Sequence, residues 1–433
     1  MKENDNLDIM IKVFEQIINK LPGKAVNNMQ KEIAILRELV MDQRQPCLMI
    51  IGRRGAGKSS LLNAIFGEKI ASIGSVTAAT RNAKWYIWKS TRGTLNLLDT
   101  RGLGDRTLPE SQNYQNAAKD IYFAIDNVVP DALLFLCKAK EIDARISEDL
   151  ANVKDVLNYI KKKKNFSPPV IGVVTQVDEL DPLSERDPPY QKKMKNISVA
   201  VNTLKTAFKS EGIVSPEIFP TSSYTEFDNR GNIVYSKLWN IDTLVDYLID
   251  ILPREAKIQF ARMVNVISAR EKTCRILIHS TATLCSGIAA VPVPVADIFP
   301  ITSLQIGLIT SVGYVAGRSL TLENAREFIT AAGFNIGSAF VFREASRALV
   351  KIVFPGYGSL ISAGVAYAGT WAIGEAAIAY YIQGKDIKQA QKVLKDVFTR
   401  MKKNGDISKE RKLSVYSLKN KLRALTLRLG IQG

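Results

Sequence analysis

The stretch from Met49 to Gly67, MIIGRRGAGKSSLLNAIFG, holds Gly52, Gly57, Lys58 and Ser59 in the spacing Gly-x4-Gly-Lys-Ser, between an apolar run and a helix-forming one. That arrangement suits a phosphate chain. The glycines let successive backbone N–H groups turn toward an anion, and the start of a helix adds the positive end of its dipole. Lys58 reads as the cation bridging β- and γ-phosphates, and Ser59 as a hydroxyl ligand to Mg2+. Arg53, Arg54, Gly55 and Ala56 complete the loop, and Ser60 carries it into the helix. A loop of this kind serves ATP and GTP equally, so the choice of base rests on motifs further along the chain.

At Leu97-Leu98-Asp99-Thr100-Arg101-Gly102 a buried strand ends in Asp-x-x-Gly. The carboxylate of Asp99 falls beside the magnesium and the Gly102 N–H where a γ-phosphate would sit, the sensor position of a nucleotide switch. At Val173-Val174-Thr175-Gln176-Val177-Asp178 another apolar strand ends in Thr-x-x-Asp. Asp178 is placed to accept two hydrogen bonds from guanine N1 and its exocyclic amine, donors that adenine lacks in that arrangement. A last strand ends Phe219-Pro220-Thr221-Ser222-Ser223, where the backbone N–H groups of Ser222 and Ser223 face guanine O6.

Four short motifs in this order at strand ends resemble the guanine-nucleotide domain of the translation-factor-related GTPases, in particular the Era-like branch. The resemblance covers residues 46 to about 253. It implies hydrolysis of GTP to GDP and phosphate, by attack of water on the γ-phosphate, with Lys58, Thr80 and Gly102 as catalytic groups. It also implies a switch-I threonine over the magnesium, from Thr77 or Thr80 in GSVTAATRNAKW. Thr80 is favoured because Thr80-Arg81-Asn82 stands before the next strand, as Thr-Arg-Asp does in Era-like proteins. Ser59, Thr80 and Asp99 then hold Mg2+.

Three departures modify the expectation. Leu103 stands where Ras-like enzymes carry the water-orienting glutamine, which predicts slow intrinsic turnover. Gln176 replaces the lysine of the guanine motif, which predicts weaker affinity with specificity kept by Asp178. Gly55 stands where potassium-activated relatives carry asparagine. The resulting form GxxGAGKSS is shared with immunity-related and septin-like GTPases, families that self-associate through the nucleotide face. That similarity implies a homodimer or nucleotide-dependent oligomer, with Arg53, Arg54 and Arg101 as candidates for catalysis in trans; exposed arginines without a catalytic part are the other reading of each.

The elements that must position these groups emerge from periodicity. Between 46 and 253, β-rich runs (PCLMII, AKWYIWK, TLNLLDT, ALLFLCKA, VIGVVTQV, EIFPTSS) alternate with helices beginning near Ser59, Tyr114, Ser147, Tyr190 and Ile241. This predicts an α/β domain, a mostly parallel sheet flanked by helices. Two amphipathic helices, broken at Leu21-Pro22-Gly23, precede it in residues 8–43, and no strand signal comes after Pro253. The expected organisation is an N-terminal helical segment 1–45, a nucleotide-binding domain 46–253 and a C-terminal helical domain 254–433, the two end segments forming one all-α domain. Residues 254–280 read as one basic amphipathic helix.

With 433 residues the chain is long enough for two cores. Its net charge of +17 is uneven: from Lys385 to the end there are fourteen lysines and arginines against four acidic residues, a net +10. Such a tail suits an anionic membrane surface or nucleic acid, or is the solvated face of terminal helices. Nucleic acid is the less favoured partner, because beyond Phe398 the tail's one aromatic is Tyr416. Cys47, Cys137, Cys274 and Cys285 have no metal or redox spacing, and His279 sits in a helical run without a motif. A charged first segment, MKENDNLDIM, has no secretory pattern, and a cytoplasmic location, peripheral at a membrane, is expected.

Two segments of the helical domain are strongly apolar. Residues 281–318 read as two helices around a proline-rich corner with Asp297. Residues 356–382 are long enough to cross a bilayer and carry small residues at Gly364, Ala368, Ala372 and Ala376. Against a constitutive span stand Glu375 and the neighbouring Arg318, Arg326, Arg343, Glu344 and Arg347. A soluble bundle and a switchable membrane contact are both open. The pattern VPVPVADIFPIT resembles an uncharacterised helical domain at the carboxyl end of bacterial Era-type GTPases, and more loosely the helical domain of immunity-related GTPases.

Overall fold

A computed structural model describes residues 23–69, 84–90, 92–99, 121–142, 146–183, 191–213, 217–290, 298–331 and 363–404. The described residues divide into two compact units: 45–253 with 263–266, and 23–44 with 254–262 and 267–404.

The first unit is built on a six-stranded sheet: β1 (Cys47–Ile51), β2 (Lys84–Ser90), β3 (Gly93–Asp99), β4 (Ala132–Lys138), β5 (Val170–Thr175) and β6 (Glu217–Pro220), in the order β2-β3-β1-β4-β5-β6. All neighbours are parallel except β2, which runs antiparallel to β3. β1 is buried along its whole length and β4 and β5 over most of theirs, which is why they read as continuous apolar runs rather than alternating ones. Helices α2 (Lys58–Phe66), α3 (Ile146–Lys164), α4 (Gln191–Ser210) and α5 (Ile241–Ile251) belong to this unit. Phe135 of β4 meets Phe208 of α4 edge-on at 5.6 Å in the core. Parallel register brings Ile50 opposite Asp99, and Lys138 opposite Thr175, so the carboxyl ends of β3, β1, β4 and β5 lie side by side. Open α/β sheets bind ligands at that edge.

The run EIFPTSS is not a single strand. β6 stops at Pro220, and Ser222 opens a separate antiparallel hairpin of β7 (Ser222–Phe227) and β8 (Ile233–Trp239). Its turn is made by Asp228, whose carboxylate accepts from the backbone N–H groups of Arg230 and Asn232 at 2.8 Å, with Gly231 at φ +84°.

In the second unit are α1 (Gly23–Leu36), extended by a wider π turn over Arg37–Met41, then α6 (Arg254–Met263), α7 (Ile267–Ala289), α8 (Ile298–Val315), α9 (Leu322–Ala331), α10 (Ala363–Tyr381) and α11 (Ile387–Asn404). The expected single helix over 254–280 is therefore two helices, and the second runs on to Ala289. The break falls at Val264–Val266, where the backbone N–H of Asn265 leaves the helical pattern to bond the carbonyl of Ile65 at 2.8 Å.

α10 is the central helix of this bundle, lying against α7, α8 and α11, with residues 365–374 and 376–379 buried. Gly374 permits close approach of α7: a Cβ there would lie 2.3 Å from Ile278 Cγ1. Glu375 is ion-paired with Arg275 at 3.0 Å, and Arg275 also reaches Glu271 at 3.2 Å. An all-round apolar surface thus packs helices together here. Among the described residues no helix is long and apolar enough to cross a membrane. The four cysteines are free thiols; burial holds those of Cys274 and Cys285 well above the ordinary range, Cys285 at about 12. His279 Nδ1 lies 3.2 Å from the Tyr367 hydroxyl beside Trp371, a packed position on α7.

Candidate nucleotide site

The loop between β1 and α2 takes its shape from its glycines. Gly52 passes so close to β4 that a Cβ would meet the Leu136 carbonyl oxygen at 2.8 Å. Gly55 and Gly57 adopt φ of +80° and +81°, the left-handed region that a side chain penalises. The helix then starts at Lys58, with the Leu61 N–H returning to the Gly57 carbonyl at 2.8 Å. Lys58 curls back over the loop, its ammonium donating to the carbonyls of Gly52 at 2.5 Å and Arg53 at 3.1 Å. Ser59 and Ser60 are exposed on the first turn of α2.

Arg53 and Arg54, adjacent in sequence, differ in placement. The Arg53 guanidinium makes a two-point contact with Asp149 on α3, Nε to Oδ2 at 2.7 Å and Nη2 to Oδ1 at 3.2 Å. The hydrogen bond to Asp149 raises the pKa of Arg53, while burial raises that of Asp149 despite the opposing pull of the arginine. Arg54 is exposed, and among the described residues it has no hydrogen bond or ion pair.

The second half of the site hangs from β5. Thr175 is fully buried, and its hydroxyl donates to the Ala56 carbonyl at 2.9 Å, with the Cys137 carbonyl at 3.3 Å. Gln176 sits at φ +57° and its amide donates to the Gly55 carbonyl at 3.0 Å. The two consecutive residues therefore stitch this turn to the phosphate-loop arch. Asp178 lies in a short 3-10 turn, Val177–Glu179, and its carboxylate makes no hydrogen bond or ion pair among the described residues. Its backbone carbonyl accepts from the fully buried ammonium of Lys193 on α4 at 2.8 Å. Lys193 stands in the charged run QKKMKN, which reads as a solvated face; sequence spacing gives no signal for it.

The β6–β7 corner closes against the same turn. Thr221 donates its N–H to the Val174 carbonyl at 2.8 Å and accepts from Val177 N–H at 3.3 Å. Ser222 and Ser223 come next, both buried, with the Ser222 hydroxyl on the Lys237 carbonyl at 3.3 Å. The Thr221 hydroxyl is buried with no partner among the described residues. The backbone of Asp99 ends β3 beside β1; its side chain, together with Thr77, Thr80, Thr100, Arg101, Gly102 and Leu103, lies outside the described residues.

Residues 47–176 match the family model of the 50S ribosome-binding GTPase domain. The chain carries an Era-like GTPase domain and is a GTP-hydrolysing enzyme. Among curated relatives, the GTPase Era of Clostridioides difficile is 26% identical over 234 residues, 49% of this chain and 70% of its own length. The uncharacterised protein YkfA of Escherichia coli is 24% identical over 250 residues, 57% of this chain and 74% of its own. A solved structure of Toc33 from Arabidopsis thaliana in complex with GDP and Mg2+ overlays 57% of this chain and 97% of its own at 13% identity, with a TM-score of 0.33. The matched residues 47–176 lie within the first unit, where the turn after β5 meets the phosphate loop at the Gly55-Ala56-Gly57 arch.

Proposed function

We propose that this chain is a guanine-nucleotide switch of slow intrinsic turnover, whose helical unit responds to the nucleotide through self-association and contact with an anionic membrane surface. The observation that carries the nucleotide part is the tie from Thr175 and Gln176 to the carbonyls of Ala56 and Gly55, which couples base recognition to phosphate binding. In this reading Lys58 leaves its two loop carbonyls for the β- and γ-phosphates. Asp178 accepts from guanine N1 and the amine, and the backbone N–H groups of Ser222 and Ser223 meet O6. Catalysis is then mainly positioning and charge neutralisation, with Lys58, Thr80 and Gly102 around the γ-phosphate.

The oxygen-donor chemistry fits Mg2+. Ser59 presents an exposed hydroxyl that has no hydrogen bond among the described residues, one residue beyond Lys58, and hard cations take such donors together with carboxylate and phosphate oxygens. Ser59, Thr80 and Asp99 would hold the ion, which when bound neutralises charge on the phosphate oxygens.

Self-association is supported by the difference between the two loop arginines: Arg53 is engaged by Asp149, whereas Arg54 is exposed on the nucleotide face and available to a second copy. Membrane contact is supported by the +10 charge of the terminal segment. A second reading, a ribosome- or RNA-assembly GTPase using that same charge, is supported by the family description that residues 47–176 match. One experiment tests the scheme: GTP turnover per molecule measured against protein concentration, with and without anionic liposomes. Flat turnover in both series would reject self-association and membrane contact together, and salt-sensitive retention of ribosomal RNA without liposome flotation would favour the second reading.

A further inference from the structure

The end of β4 brings a second lysine to the phosphate loop, one that the sequence pattern does not single out. Lys138 pairs in register with Thr175, and β4 runs beside β1, so its side chain leaves the sheet where the loop begins. A Cβ added to Gly55 would lie 3.3 Å from both Cε and Nζ of Lys138. The lysine therefore lies across the Gly55 arch, in space that any other residue at position 55 would take. The carbonyl of the same glycine is held by a neutral group, the Gln176 amide at 3.0 Å. Lys138 is three-quarters covered, and its ammonium is paired with Glu141 at 2.8 Å, itself half exposed.

We propose that Lys138 is a nucleotide-binding residue: the second cation of the phosphate loop, admitted by Gly55, restrained by Glu141, and supplying beside Gln176 the positive charge that this neutral side chain does not. The chemistry is electrostatic. An ammonium a few ångströms from a loop built to receive phosphates attracts them, and the weak, solvent-facing pair with Glu141 is easily exchanged for a polyanion. The lost charge at 176 and the missing side chain at 55 are then one arrangement, since the second makes room for the cation that offsets the first.

This inference rests on the GTPase reading of the loop, and its test separates the two. Binding of fluorescent N-methylanthraniloyl-GDP is titrated at low and high salt for the wild-type chain and for K58M, K138M, K138R and E141Q. The expectation is a roughly tenfold loss of affinity in K138M with a shallower salt dependence, near-wild-type binding in K138R, and a few-fold tighter binding in E141Q. Introducing Q176K into K138M should recover most of the loss, while in the wild-type background it should add less, because the site already holds a cation. Wild-type affinity in K138M, with K58M inactive, would overturn the role of Lys138 and leave the GTPase reading standing. Failure of the wild-type chain to bind at all would overturn both. Should K138M not fold, E141Q decides: unchanged affinity there would also overturn the proposal.

Discussion

The hydroxyl of Thr175, at the end of β5, donates across the sheet edge to the carbonyl of Ala56 in the phosphate loop, at 2.9 Å and fully out of water. These residues are 119 positions apart, yet the bond ties the turn after β5 directly to the phosphate loop. Thr175→Val keeps the shape and removes the donor, leaving a buried carbonyl short of a partner. Such a loss costs about 1–3 kcal/mol. GDP affinity should fall by roughly tenfold, because a loosened arch must be ordered on binding. Isothermal titration with GDP, beside a thermal melt, checks this; an unchanged affinity with a lowered melting temperature would confine Thr175 to a structural part.

Asp149 gives a pH-dependent prediction. Burial raises its pKa above the ordinary value of 3.8 even with Arg53 attached, so the folded chain holds this proton more tightly than the unfolded one. The stabilising contribution of a raised carboxylate is complete below the unfolded value and is lost as pH climbs through the folded one. Asp149→Asn removes that dependence. The stability of the wild type relative to this variant should therefore decline as pH rises from just below 3.8 to just above the raised value. Urea denaturation across that window measures it, and a difference that grows with pH would show that the ion pair outweighs desolvation.

In the helical unit, Gly374 of α10 leaves no room for a side chain against Ile278 of α7. Gly374→Ala should destabilise by about 1–3 kcal/mol through overpacking, despite the higher helix propensity of alanine. Ile278→Ala in the same chain frees the space and should recover part of the loss. A double-mutant cycle by chemical denaturation reads the coupling; additive effects would mean that the cost of Gly374→Ala does not come from Ile278, and an unchanged stability in Gly374→Ala alone would mean that the helices shift apart without cost.

Much of this architecture is legible in the sequence because it depends on local chemistry. Glycine at 55 and 57 answers a demand for positive φ, and β1, β4 and β5 advertise burial on both faces by unbroken apolar runs. The β7–β8 hairpin is harder to read although Asp228 to Gly231 is a turn signal, because the exposed Ile233, Val234 and Tyr235 do not alternate in and out as a strand packed on a core does. The helix end at Met263 is hidden for a different reason: Asn265 is claimed by the Ile65 carbonyl, far away along the chain, and no local rule reports such a competitor. The same holds within the site. Lys138, Asp149 and Lys193 are ordinary charged residues in sequence, and only the parallel register and the packing of α3 and α4 bring them to the phosphate loop and the turn after β5.

Base selection offers the sharpest test of the site. The Asp178 carboxylate is not spent on any described neighbour, while its own backbone is clamped by Lys193, so the acceptor is held in place for a ligand. Two hydrogen bonds to an ionised acceptor are worth about 1.5–3 kcal/mol each. Asp178→Asn exchanges one acceptor oxygen for an N–H donor, which repels the guanine amine and suits the second carbonyl of xanthine. GDP affinity should drop by roughly a hundredfold or more, and xanthosine diphosphate should become the better ligand. Competition between the two diphosphates for the fluorescent nucleotide site gives the ratio directly. A variant that still prefers guanine would remove Asp178 from base recognition and turn attention to the buried hydroxyl of Thr221, which lies at the same corner with no partner among the described residues.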